Sequence, residues 1–246
     1  MSRVLVDIND LDKLRRLEFL QRGKEGSCYF LNKDEIIKLY HIMETRRKIY
    51  FDNLESDVIS FPKDIYIYKG TDLITGYTMN YLRGEPFVSG FSKKLLLSDL
   101  KKAIIDMKDE ISKYPNIYME DMCLVNLLFD YMLKKIKLID TSMWYLREDS
   151  LEDNIKKFNM IMMTSLCRSI DWINTYLRKD RELHELYRMH IYGNDSLPIE
   201  FLESIEFKMS EINGQEVKTI GDLVRKWIKN IDFKKKKCYY YTAIFY

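Results

Sequence analysis

Glycine, proline and cysteine are all sparse in this chain, with 9, 4 and 4 copies among 246 residues. No low-complexity linker and no internal repeat is present. The cysteines (Cys28, Cys123, Cys167, Cys238) are scattered, form no C-x-x-C pair and have no histidine cluster nearby. That pattern reads as reduced thiols rather than a disulfide framework or a zinc site. Histidine is rarer still, and His41, His184 and His190 have no mutual spacing that suggests a metal site. Charge of one sign is lacking too, since 40 Lys and Arg stand against 38 Asp and Glu. No global basic field therefore points to nucleic acid as a partner. Long apolar runs are missing as well: none approaches the ~18–20 residues that span a bilayer. Residues 1–14 are charged from the third position and contain no apolar signal core. A cytoplasmic location without a membrane partner is the expectation.

What is present is a chain with 46% apolar residues, enough for a substantial core, and 32% charged residues, enough for a soluble surface. Its length suits one large domain or two small lobes sharing a cleft. The pattern changes character near residue 90. Before it, the runs 17–21, 28–31, 35–40, 61–68 and 74–81 read as five strands broken by turn signals. A charged stretch over 43–54 has helical composition and interrupts the series. After it, Leu97, Leu100, Ile104, Met107 and Ile111 form one helical stripe, with Ser98 as a candidate cap. A second long helix starts at a capping-box-like Ser150-Leu151-Glu152-Asp153 and carries an apolar stripe from Ile155 to Leu177. Further helices are expected at 180–190, 197–211 and 219–229, and two short strands at 127–129 and 136–139.

Two groups of residues carry chemistry. The first is Lys38, set among apolar neighbours on the strand over 35–40, just after the hairpin Gly23-Lys24-Glu25-Gly26-Ser27. Glycines there free backbone N–H groups and admit a phosphate closely, and the Lys38 ammonium can reach the same phosphates. Turn chemistry and a solvated lysine are the plainer reading of that group alone. The second is more specific. Asp121 and Asn126 lie five apart directly before an apolar strand, and Asp140 ends the partner strand fourteen residues beyond Asn126. A hairpin thus presents an amide and a carboxylate together, oxygen ligands that suit a hard cation such as Mg²⁺.

These residues resemble the motifs of the protein-kinase-like superfamily, between eukaryotic-type protein kinases and the aminoglycoside and choline kinase relatives. Gly23-x-x-Gly26-Ser27-x-Tyr29 resembles the Gly-rich loop, and Ile36-Ile37-Lys38 the V-A-I-K strand. Residues 76–84 look like the last N-lobe strand running into the hinge, with Met79 in the gatekeeper-like position and the backbone of Asn80 and Leu82 facing adenine. Asp121 to Asn126 resembles the H-R-D-x-x-x-x-N loop, and Asp140 stands in the place of the D-F-G aspartate. The resemblance covers roughly 17–145. It implies an α+β, bilobal fold: a five-stranded antiparallel N-lobe sheet with one helix over 1–82, and a mainly helical C-lobe over 83–246. It also implies ATP and Mg²⁺ as cofactors. Lys38 would hold phosphates, Asn126 and Asp140 the metal, and Asp121 the acceptor hydroxyl.

Departures from the family pattern shape the functional reading. Met119-Glu120 replaces His-Arg, so the pocket that reads a phosphorylated activation loop is missing. Cys123 stands where protein kinases carry a lysine, Thr141-Ser142 follows Asp140 in place of Phe-Gly, and no A-P-E segment follows. Only about ten residues separate Asp140 from Ser150, too few for a long activation segment, which points to a constitutive architecture. Glu44 is the preferred helix partner of Lys38, over Glu55. The first reading is an ATP-dependent phosphotransferase acting on a protein or small-molecule hydroxyl. The second is a nucleotide-binding pseudokinase acting as a regulator or scaffold, and nucleotidyl transfer is a weaker third. Trp144 either lines the acceptor side or fills the core, and the 13 methionines fill core gaps. The run Lys234–Lys237 reads as a solvated tail, and the aromatic end 239–246 as a surface that docks on its own domain or on a second subunit.

Overall fold

The protein is described by a computed structural model for residues 2–44, 54–170, 185, 188 and 197–225. It is an α+β protein whose main sheet has six strands in the order β1-β5-β6-β4-β3-β2. These are β1 (Ser2–Val6), β2 (Phe19–Arg22), β3 (Gly26–Phe30), β4 (Glu35–Glu44), β5 (Pro62–Tyr68) and β6 (Ile74–Asn80). Five antiparallel strands were the expectation; the sixth, β1, runs parallel to β5 at the sheet edge, so the sheet is mixed. Its short, half-polar sequence Ser-Arg-Val-Leu-Val carries no clean alternation, and pairing with β5 is what makes it a strand.

Directly after β1 comes α1 (Ile8–Leu14), another element outside the sequence expectation. Asp7 and Asp10 form a full capping box there, each side chain accepting the other's backbone N–H. Leu11 of α1 packs with Val6, Ile37 and Leu39 on one face of the sheet. On β4 the neighbours Ile36 and Tyr40 belong instead to the core on the opposite face. Both faces of β4 are therefore covered, which is why its sequence Ile-Ile-Lys-Leu-Tyr is nearly continuous in apolar character. Lys38 shares a pleat with Ile36 and Tyr40. The helix expected over 43–54 lies mostly outside the described residues, and its first two residues, Met43 and Glu44, continue β4 instead.

The rest of the described chain is mainly helical. Residues 85–86 (β7, Glu85–Pro86), β9 (Leu127–Asp130) and β10 (Lys135–Leu138) make a three-stranded sheet in the order β10-β9-β7. The short pair β8 (Ile117–Tyr118) and β11 (Tyr145–Leu146) brackets the segment between them. Around these lie α2 (Leu97–Ser112), α3 (Leu151–Ser169), α4 (Pro198–Asn213) and α5 (Ile220–Arg225), which makes five helices among the described residues. The helix expected over 180–190, the part of the second stripe beyond residue 170, the end of the helix over 219–229 and the lysine-aromatic tail fall outside them, apart from residues 185 and 188.

Both expected caps are corrected. Ser98 sits inside the first turn of α2, whose N-cap is Leu96. Ser150 is the N-cap of α3, but its hydroxyl donates to the Pro115 carbonyl rather than capping the helix. One continuous core runs from Cys28 and Tyr77 through Leu100, Ile104 and Phe158 to Leu223. The segment before β5 is stitched to β10 as well, because Ser60 N–H donates to the Leu138 carbonyl and Leu138 N–H to that of Val58.

Candidate active site

A cleft of about 710 Å³ opens between the sheet and the 120–143 region. Lys38 stands on its floor with only 5% of its side chain exposed. Its ammonium donates to Asp140 Oδ1 at 2.5 Å, and Glu25 Oε2 lies at 3.5 Å. An ammonium this buried needs anionic company, and here two carboxylates share it. Asp140 follows β10 with φ of 57°, a left-handed conformation unusual for a residue with a side chain. Its Oδ1 also accepts from Ser142 Oγ at 2.9 Å and from the Tyr77 hydroxyl at 3.3 Å. Tyr77 is completely buried, and burial together with the Asp140 charge pushes its phenol well above the usual range, so it stays protonated and a donor.

Asn126 precedes β9 and is only 7% exposed. Its amide nitrogen donates both to the Asp121 carbonyl at 2.9 Å and to Asp121 Oδ2 at 3.2 Å. With two acceptors on the nitrogen side, the amide oxygen is the atom left for the cleft. Burial, and then the Asp140 charge, push the Asp121 carboxyl above the usual carboxylate range, while the Asn126 hydrogen bond pulls it back. A carboxylate raised in this way is better matched to accepting a proton near neutral pH.

Among the described residues no group of three or more His, Cys, Asp or Glu side chains is placed to hold a metal ion. The cleft offers one carboxylate oxygen from Asp140 and one amide oxygen from Asn126. That is too little for a protein-only cage, but it fits Mg²⁺, which keeps waters and phosphate oxygens as its remaining ligands.

Side chains of α3 hold the backbone of the Asp121 loop from behind. Asn154, fully buried, accepts from Met119 N–H at 3.0 Å and donates to the Ile117 carbonyl at 2.6 Å. One turn later Lys157 donates to the carbonyls of Met119 and Glu120, with its ammonium 5.3 Å from the Tyr118 ring. This places a cation beside Asp121. Met79, Asn80 and Leu82 also line the cleft. The Asn80 carbonyl accepts from Ser60 Oγ at 2.7 Å and Tyr81 N–H donates to the Asp34 carbonyl, so part of this backbone is already engaged.

Most of the expected site residues meet here: Gly23, Gly26, Lys38, Met79, Asn80, Leu82, Asp121, Asn126 and Asp140 all line the one cleft. The structure bears on three further assignments. Lys38 is paired with Glu25 and Asp140, and the Glu44 side chain lies outside the described residues. Ser27 falls on the opposite pleat from Gly26 and Cys28 and is not part of the cleft wall. Trp144 is a core aromatic, 2% exposed and edge-on to Phe61. Gly26 has a packing reason as well, since a Cβ there would come within 2.5 Å of the Leu39 carbonyl oxygen.

Residues that sequence reasoning missed are Glu25, Cys28, Ser60, Tyr77, Ser142, Asn154 and Lys157. Glu25 was visible inside the glycine hairpin and Ser142 two residues after Asp140; the others had no local signal, because each meets the site only through tertiary contact. Burial pushes the Cys28 thiol up to about 11, so it is no thiolate nucleophile. A smaller cavity of about 420 Å³ lies between residues 55–58, α2 and β10, lined by charges of both signs and by none of the expected site residues. No protein-family model matches the sequence, and no curated protein gives a significant match.

Proposed function

We propose that this chain is an ATP- and Mg²⁺-dependent phosphotransferase of the protein-kinase-like superfamily, with lobes at 1–82 and 83–246 closing on the cleft. The observation that carries the reading is convergence. Lys38, Asp121, Asn126 and Asp140, the motif residues singled out from sequence, line the same cleft although they come from separate segments. Lys38 would hold nucleotide phosphates, and Met79, Asn80 and Leu82 would border the base. Asn126 and Asp140 would hold Mg²⁺, which when bound offsets the charge of the phosphates. Asp121 orients the acceptor hydroxyl and accepts its proton as the oxygen bonds to the γ-phosphorus and the bond to the ADP oxygen breaks. The acceptor is a hydroxyl on a protein or a small molecule.

A second reading, a nucleotide-binding pseudokinase acting as a regulator or scaffold, draws support from Glu25. Its carboxylate rests near Lys38, where a phosphate would otherwise sit. Incubation with γ-labelled ATP and Mg²⁺ separates the two. Label transfer or phosphate release that disappears in both Asp121→Ala and Asp140→Ala supports the enzyme. Mg²⁺-dependent thermal stabilisation by ATP without turnover supports the pseudokinase, and no stabilisation by any nucleotide sinks both.

A further inference from the structure

The aspartate proposed to hold the metal is gripped in an unusual way. Every hydrogen bond to the Asp140 carboxylate falls on Oδ1, from Lys38, Ser142 and Tyr77. Oδ2 is left for the cleft, and the side chain is 31% exposed. Of the three donors, Lys38 is the one with other business. Its ammonium is also shared with Glu25 and Ser142, and nucleotide phosphates would draw it off Asp140. The carboxylate it left would be held on a left-handed backbone, near the charge of Asp121, by nothing that glycine freedom or a following Phe provides.

Tyr77 and Ser142 are built for that moment. Tyr77 lies directly across from Lys38 in the β4–β6 register, and its ring packs 6.0 Å from that of Tyr40. A wholly buried phenol in a strand interior would be replaced by Phe without loss if packing were its only role, because burying an unneeded hydroxyl costs free energy. Ser142 is 6% exposed, and Thr141 beside it is fully buried with its hydroxyl donating to the Ser60 carbonyl at 3.0 Å. The backbone after Asp140 is thus anchored to the segment that is itself stitched to β10.

We infer that Tyr77 and Ser142 are positioning residues that clamp Oδ1 of Asp140, so that Oδ2 stays aimed into the cleft when Lys38 leaves for phosphate. The clamp makes the Asp140 segment fixed rather than switchable. The inference rests on the phosphotransferase reading only for what Oδ2 serves; the clamp itself can be read without nucleotide.

The test compares wild type with Tyr77→Phe, Ser142→Ala and the double variant. Peptide-resolved hydrogen exchange in the nucleotide-free protein covers 139–144. Binding of a non-hydrolysable ATP analogue is measured with Mg²⁺ and again with EDTA. The double variant should exchange about tenfold faster across 139–144, with β4 and β6 unchanged, and bind the analogue about tenfold more weakly with Mg²⁺ but equally in EDTA, the size expected for losing hydrogen bonds to a charged group. Unchanged exchange, unchanged Mg²⁺-dependent binding, or an equal loss with Mg²⁺ and EDTA overturns the inference. If the double variant does not fold, the same outcomes are read from Tyr77→Phe, which keeps the ring. Should wild type bind the analogue no better with Mg²⁺ than without, the phosphotransferase reading fails, and the exchange result alone decides the clamp.

Discussion

Asp121 faces conflicting demands. Its carboxylate lies at the cleft mouth against Asn126, in a field made unfavourable by burial and by Asp140. Removing that charge relieves the fold while removing the proposed base. Asp121→Asn is therefore expected to lower phosphoryl transfer by about 10²- to 10⁴-fold with no fall in Tm, a trade common at working sites. Label transfer and a thermal melt on the same preparation check both halves. Glu25 makes the complementary case. Its carboxylate competes with phosphate for Lys38, so Glu25→Gln should tighten ATP binding a few-fold, the scale of a partly exposed ion pair. Weaker ATP binding in that variant, measured by calorimetry, would mean instead that Glu25 holds Lys38 in place for the nucleotide.

At the scale of elements, α3 is the support of the site. Asn154 satisfies one donor and one acceptor on the strand that leads into the Asp121 loop, from a fully buried position. Asn154→Ala leaves the Met119 N–H and the Ile117 carbonyl without partners, and should cost about 3 kcal/mol in urea unfolding. It should also slow transfer, because the loop loses its backing; an activity loss without a stability loss would contradict this account. The β9–β10 hairpin has its own anchor in Lys137, which donates to Asp130 Oδ2 at 2.6 Å with both side chains nearly buried. Ser150 does stand at the start of α3, but neither it nor Ser98 caps its helix through its side chain. A hydroxyl near a helix start is drawn to whichever acceptor the fold brings close, and for Ser150 that is the Pro115 carbonyl from another segment.

For the whole molecule, acid is the expected weakness. Asp7 is held from 3.8 down to about 2, first by its Lys69 hydrogen bond and then by the Asp10 backbone. Burial raises Asp130 and Glu110, yet in each the lysine hydrogen bond, from Lys137 and Lys113, and its companions outweigh it, and both end below their ordinary values. A carboxyl depressed in the folded state stabilises fully above its unfolded pKa and loses that contribution as pH falls through the folded one. Unfolding free energy should therefore be flat from neutral pH to about 5 and fall between about 4.5 and 2. Asp121, raised rather than lowered, contributes with the opposite sign and blunts the slope. Urea titrations across that window check it, and Asp130→Asn should flatten part of the fall at the expense of stability at neutral pH.

Much of this was legible along the chain. The short β-rich runs bounded by turn signals located β3 to β6, and the period-3.6 stripes located α2 and α3, because burial on one face of a helix is written into residue spacing. The D-x4-N and following strand-turn-strand-Asp order brought Asp121, Asn126 and Asp140 to light, since a hairpin joins its ends whatever surrounds it. What lay beyond reach depended on contacts between segments far apart in sequence. β1 is a strand through its pairing with β5, and Ser27 faces away from the cleft through the pleat set by β4. Glu25 meets Lys38 because the hairpin that carries it brings it to β4. The sequence by itself determined which side chains can do chemistry; the tertiary structure decided which of them meet, because a buried charge takes the partner that packing delivers.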